Sequence, residues 1–126
     1  MQTFGPETTI HRRLVLAASD TCKYCAAQEP IWSDMLRRIA LEESEIVLLS
    51  VGGDAITRRL ANVLESRSAR YRLVSINSSL YAVASGISIV PLSIILDKES
   101  RIRFVTPSLP VQMITVLEET WAELRP

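Results

Sequence analysis

The stretch RLVLAASDTCKYC, residues 13–25, decides the fold. Leu14, Val15, Leu16, Ala17 and Ala18 form a short unbroken apolar run. That is the pattern of a central strand buried on both faces, and it predicts a strand over residues 13–19. Ser19, Asp20 and Thr21 follow, three residues whose side chains can cap a helix. Residues 26–40 then read as that helix. Ile31, Met35 and Ile39 share one face, with Trp32 and Leu36 beside them. Pro30 falls inside the helix and is expected to kink it. Two thiols, Cys22 and Cys25, sit where strand gives way to helix.

These are the chain's two cysteines. A disulfide between them closes too short a loop to staple a fold, because crosslink stabilisation grows with loop length. The pair is therefore read as chemical rather than structural. Cys22 at the helix start would meet free backbone N–H groups and the positive end of the helix dipole, both of which stabilise an anion. The thiolate is the reactive form of cysteine. The Lys23 ammonium would add to this if it lies close. Cys25, one helical turn on, can reach the same sulfur. Cys22 attacks a disulfide, a mixed disulfide forms, and Cys25 resolves it. The competing reading of a CxxC pair is half of a metal site. No further cysteine is present to complete a four-thiolate zinc site. The one histidine, His11, precedes the first strand and reads as a surface or strand-end residue. No metal and no cofactor are expected.

Outward from this stretch, residues 45–51 read as a second buried strand ended by Gly52 and Gly53. Asp54 is a good N-cap for a helix whose apolar face is Ile56, Leu60, Val63 and Leu64. Residues 70–76 read as a short strand, and Asn77 opens a short helix through Leu80, Tyr81, Val83 and Ala84, stopped by Gly86. Residues 92–96 and 101–105 form a hairpin around the turn chemistry of Asp97 to Ser100. After Pro110 a last helix places Ile114, Leu117, Trp121 and Leu124 on one face. The order β-α-β-α-β-α-β-β-α implies an α/β fold with a mixed sheet and helices on both faces.

The chain has 126 residues, the size of one domain. Fourteen basic residues balance fourteen acidic ones, which is not the footprint of a nucleic-acid binder. Arg12-Arg13 and Arg37-Arg38 are read as solvated faces or strand ends. No apolar run reaches the ~18 residues of a membrane span. The N-terminus, MQTFGPETTI, has no basic region leading into an apolar one, so no signal peptide is read there.

With these residues in view, the chain resembles the thioredoxin superfamily. Cys22-Lys23-Tyr24-Cys25 follows a buried strand, and Pro30 stands eight residues after the first cysteine, where thioredoxins also carry a helix proline. The segment from Gly86 to Asp97, GISIVPLSIILD, looks like the family's stretch around its cis-proline. The resemblance implies a thioredoxin fold over one domain, residues 1–126, and a cis Val90–Pro91 bond beside the cysteines. It further implies that Val90 offers backbone groups to an extended substrate.

The long gap between Cys25 and Pro91, with Ser50 to Asp54 and Leu96 to Ile102, looks like the TlpA/ResA-like branch. Those are extracytoplasmic thiol–disulfide oxidoreductases. In that view residues 1–12 are an N-terminal segment, too short for the branch's usual hairpin. Residues 52–76 are a helix–strand insertion that extends the sheet without supplying catalytic groups. The implied activity is thiol–disulfide exchange with protein substrates by a monomer, with Cys22 and Cys25 catalytic and Lys23, Tyr24, Val90 and Pro91 facing substrate. A binding or metal-delivery module using the same thiols and a peroxiredoxin-like peroxidase are the alternatives. Extracytoplasmic work is implied by the branch, with a cytoplasmic location left open. Three positions depart from the pattern. Thr21 replaces a common tryptophan, Leu16 stands where thioredoxin has a buried acid, and Gln28 stands where the branch often has glutamate. Glu29 is next to it, but one helical step turns it about 100° away. The group that takes the Cys25 proton is left open.

Overall fold

The apolar run at residues 14–18 lies at the middle of a sheet. A computed structural model describes residues 9–77 and 89–125. Within them the chain runs β1 (Arg12–Ala18), α1 (Lys23–Arg38), β2 (Ser44–Val51), α2 (Ala55–Ser66), β3 (Tyr71–Ile76), β4 (Leu92–Asp97), β5 (Ile102–Thr106) and α3 (Val111–Glu123). The five strands order as β3-β2-β1-β4-β5. β1 pairs parallel with β2 and antiparallel with β4, so the sheet is mixed as the element order implies. The segment expected as an insertion folds as α2 and β3, with β3 at the sheet edge, parallel to β2. The short helix expected from Asn77, its stop at Gly86 and most of the N-terminal segment lie outside the described residues.

Alternation sorts the strand residues onto two faces. Leu14, Leu16, Ile46, Leu48 and Ile95 join Trp32, Met35 and Leu36 of α1, Leu60 and Leu64 of α2, and Leu117 and Trp121 of α3 in one core. Ala17, Val51 and Leu92 form a smaller cluster on the other face. Leu73 and Ile76 pack against the sheet as expected, Leu73 on the large core and Ile76 on the small one.

Two helix starts differ from the expectation. α1 begins at Lys23, not at residue 26, and its N-cap is Cys22 rather than one of the three polar residues before it. Asp54 occupies the N-cap position of α2 but makes no capping hydrogen bond with its side chain. It pairs instead with Arg58 at 2.7 Å. The cap comes from Asp20, whose two carboxylate oxygens accept from the N–H groups of Ala55 (2.8 Å) and Ile56 (3.1 Å). At the other end, Arg67, just past α2, donates to the carbonyls of Leu36 and Ile39 at the end of α1. Between them Glu29 and Arg59 form a two-pronged ion pair at 2.7 and 2.8 Å. α1 and α2 therefore cap each other's open ends and are cross-tied in the middle.

Arg12 corrects the expectation of a solvated strand end. It is buried, stacks 4.4 Å from the centroid of the Trp121 ring, and donates to the carbonyls of Trp121 (2.7 Å), Ala40 (3.3 Å) and Glu42 (3.5 Å). A cation belongs there because these carbonyls lie at or just beyond the C-terminal ends of α3 and α1, which carry partial negative charge. Burial lowers its pKa. Arg13, its neighbour on the opposite face, is half-buried and pairs with Glu45 at 2.9 Å. His11 sits before β1 as expected, with Nδ1 3.2 Å from Glu43.

Candidate active site

The end of β1 delivers Ser19 to Cys25 in a tight turn. The N–H of Cys22 donates to the Ser19 carbonyl at 3.3 Å, and the N–H of Thr21 donates to the Ser19 hydroxyl at 3.3 Å. Cys22 has extended backbone angles, φ −102° and ψ 115°, as an N-cap residue must. Its sulfur takes the place a serine or aspartate oxygen usually holds and accepts the N–H of Cys25 at 3.2 Å. The sulfur shares that N–H with the Cys22 carbonyl (3.1 Å) and stands at the positive end of α1, with no acidic residue in the helix's first turn.

The two thiols are unlike. Cys22 is half-buried and Cys25 is fully buried, and both are free. Burial pushes the Cys25 thiol up from its ordinary value of 9.0 to about 12, reinforced by its hydrogen bond to the Cys22 sulfur and by the charges of Cys22 and Asp20. The N–H of Ser19, 3.5 Å from the Cys25 sulfur, works in the opposite direction by favouring the thiolate.

The Val90–Pro91 peptide bond is cis. Pro91 is buried and Val90 half-buried. The Cys22 thiol lies 3.6 Å from the Val90 carbonyl oxygen. The start of β4 is held against α1 by Trp32, whose indole N–H donates to the Ser93 hydroxyl at 2.9 Å. That bond is buried and joins the helix carrying the thiols to the strand that follows Pro91. Lys23 and Tyr24 are exposed, and the Lys23 ammonium lies 5.3 Å from the centroid of the Tyr24 ring. Cys22, Cys25, Val90 and Pro91 thus come together at one end of the sheet, with Lys23 and Tyr24 on the outer surface of the same turn.

The Gln28 side chain is occupied. Its amide donates to the Leu109 carbonyl (3.1 Å) and accepts the Leu109 N–H (2.7 Å), pinning the β5–α3 connection to α1. Glu29 is held by Arg59, and Leu16 is buried in the core. Asp20 is the carboxylate whose charge acts on Cys25. The sequence gives one hint of its role, the paired glycines at residues 52 and 53. Gly53 has φ +131°, and a Cβ there would lie 2.8 Å from Asp20 Oδ2. Among the described residues no group of three or more His, Cys, Asp or Glu side chains is arranged to hold a metal. No described helix is long and apolar enough to cross a membrane. A cavity of about 380 Å³ lies at the far end of β2, lined by Leu41 to Ser44 and Arg67 to Arg70, and holds none of the residues around the thiols.

No family profile and no curated protein sequence matches the chain. Solved structures do. A thiol-disulfide isomerase from Corynebacterium glutamicum superposes with a TM-score of 0.62 at 16% identity, covering 100% of this chain and 89% of its own. The thioredoxin domain of a thiol-disulfide oxidoreductase from Bacteroides vulgatus gives 0.61 at 14%, covering 89% and 80%. A secreted Mycobacterium tuberculosis disulfide oxidoreductase homologous to E. coli DsbE gives 0.60 at 11%, covering 90% and 82%. At these identities the likeness is one of fold, and the fold is that of thioredoxin.

Proposed function

We propose that this thioredoxin-fold chain is a thiol–disulfide oxidoreductase of the TlpA/ResA-like kind, exchanging two electrons with protein disulfides through Cys22 and Cys25. The observation that carries the reading is the position of Cys22. Its sulfur caps α1, touches Cys25, and faces the Val90 carbonyl beside the cis-proline. The Cys22 thiolate attacks one sulfur of a substrate disulfide. The substrate S–S bond breaks, one substrate thiolate leaves and takes up a proton, and a mixed disulfide remains. Cys25 then loses its proton and attacks the Cys22 sulfur. The second substrate thiol is released, and a Cys22–Cys25 disulfide is left. Two of the influences that hold the Cys25 proton, the hydrogen bond to Cys22 and the charge of Cys22, vanish once Cys22 is tied in the mixed disulfide. The Ser19 N–H remains to favour the thiolate.

In this reading Val90 and Pro91 line the bound substrate strand, and the exposed Lys23 and Tyr24 border it. The chain acts as one domain and as a monomer, with residues 52–76 an insertion relative to thioredoxin. The secreted M. tuberculosis neighbour supports work outside the cytoplasm. The test is reduction of insulin disulfides with dithiothreitol as the electron source. Wild type accelerates it, Cys22→Ser does not, and Cys25→Ser accumulates a mixed disulfide visible by mass spectrometry. Wild type and Cys22→Ser at equal rates would refute the assignment.

A further inference from the structure

We infer that Asp20 is a positioning residue of the dithiol, tying the turn that carries both sulfurs to the N-terminus of α2. This rests on the thiol–disulfide reading and adds a residue to it. Asp20 lies between Ser19 and Cys22, and the backbone of Ser19 holds both cysteines. Its carbonyl accepts the Cys22 N–H, and its N–H reaches the Cys25 sulfur. The side chain of the next residue leaves this turn and bonds two amides 35 and 36 residues away, those of Ala55 and Ile56.

Ordinary helix capping does not explain this arrangement. A capping residue is already in place, since Asp54 stands at the N-cap of α2, yet its carboxylate turns to Arg58. Asp20 does the work from outside the helix, and the chain makes room for it. Gly53 adopts a left-handed φ that side chains rarely take, and any Cβ there would collide with the Asp20 carboxylate. A carboxylate accepting two backbone N–H groups is fixed in two directions, so the turn cannot slide along α2 without breaking both bonds.

Asp20 also has an electrostatic reach. Its negative charge acts against a thiolate at Cys25, alongside the Cys22 sulfur. On the α2 side, Arg59 lies in the field of Asp20 but is itself bonded to Glu29. Asp20 therefore fixes the geometry of the turn and raises the cost of ionising Cys25 before a substrate has engaged Cys22.

The test follows the Cβ carbon-13 shift of Cys25 against pH by NMR, in the full reduced chain without substrate, for wild type, Asp20→Asn and Gly53→Ala. Asp20→Asn keeps one oxygen for the α2 amides and removes the charge, so the Cys25 transition is expected to move to lower pH. Gly53→Ala leaves both cysteines and Asp20 intact but takes the space of the carboxylate, so the transition is expected to leave its wild-type position. If either variant unfolds, the other decides. Transitions equal to wild type, together with a loss of stability against urea, would reduce Asp20 to a helix cap and overturn the inference. An upward move in Asp20→Asn would also overturn it. Because no substrate is present, failure of insulin reduction by wild type would sink the proposed activity and leave this result standing.

Discussion

Raising the pH should weaken the reduced protein by way of Cys25, and the structure gives the size of the effect. The thiol is pushed up from 9.0 to about 12 in the fold, chiefly by burial. The folded chain then holds that proton more tightly than the unfolded chain does. The stabilisation linked to it is whole below about pH 9 and is lost as pH rises toward 12. At ~1.4 kcal/mol per pH unit the full window corresponds to about 4 kcal/mol, of which about 3 kcal/mol is gone by pH 11. The assay is urea unfolding of reduced wild type and reduced Cys25→Ala at pH 8, 9, 10 and 11, with a phosphine reductant. Subtracting the variant removes the titration of lysines and tyrosines common to both. The wild-type advantage should shrink by about 3 kcal/mol between pH 8 and 11. A difference that stays constant within about 0.5 kcal/mol, or one that grows, would show that burial does not hold the Cys25 proton.

Two further substitutions probe the frame around the site. Arg12→Met strips the donor from carbonyls at the ends of α3 and α1 and should cost about 2–4 kcal/mol in urea unfolding. Arg13→Met, losing a half-exposed ion pair, should cost about 1 kcal/mol or less, and equal costs would contradict the burial argument. Trp32→Phe orphans the buried Ser93 hydroxyl and should cost about 1–3 kcal/mol. Adding Ser93→Ala should recover much of that loss, since removing both partners of a buried hydrogen bond is nearly neutral. A double variant no more stable than Trp32→Phe would mean the indole ring's packing, not its bond, is what matters.

The parts of the molecule legible in the sequence are those governed by neighbours along the chain. The apolar run at residues 14–18 became the central strand, and the cysteines fell at the start of the helix after it. The hairpin around Asp97 formed where turn residues stand between two apolar runs. The parts that were not legible are decided by residues far apart. Asp54 has the right chemistry at the right position to cap α2, yet Asp20 caps it, because the turn after β1 and the start of α2 meet at the same end of two adjacent parallel strands. Arg12 looks like a solvated charge until the carbonyls of Ala40, Glu42 and Trp121 gather around it. Gln28 reads as a missing acid, but its amide matches the Leu109 backbone 81 residues on, a match no local pattern carries. Cys22 as its own helix's cap was half legible. The helix start was expected near it, but the local pattern counted oxygen side chains and passed over sulfur.

The reciprocal ties between α1 and α2 bear on how Cys25 meets small oxidants. Proteins open locally in cooperative units, and a residue is exposed at the rate its unit opens. Asp20 at one end, Arg67 at the other and the Glu29–Arg59 pair between them join two helices into one such unit. Cys25 is carried on α1, so a fluctuation that shifts the start of that helix as a body works against its ties to α2. Peroxide arriving at this surface finds the Cys22 sulfur first. Any sulfenic acid formed there stands beside a thiol that can condense with it to a disulfide, before further oxygen is added. A buried thiol standing against the half-buried one thus keeps the pair's oxidation on the reversible branch.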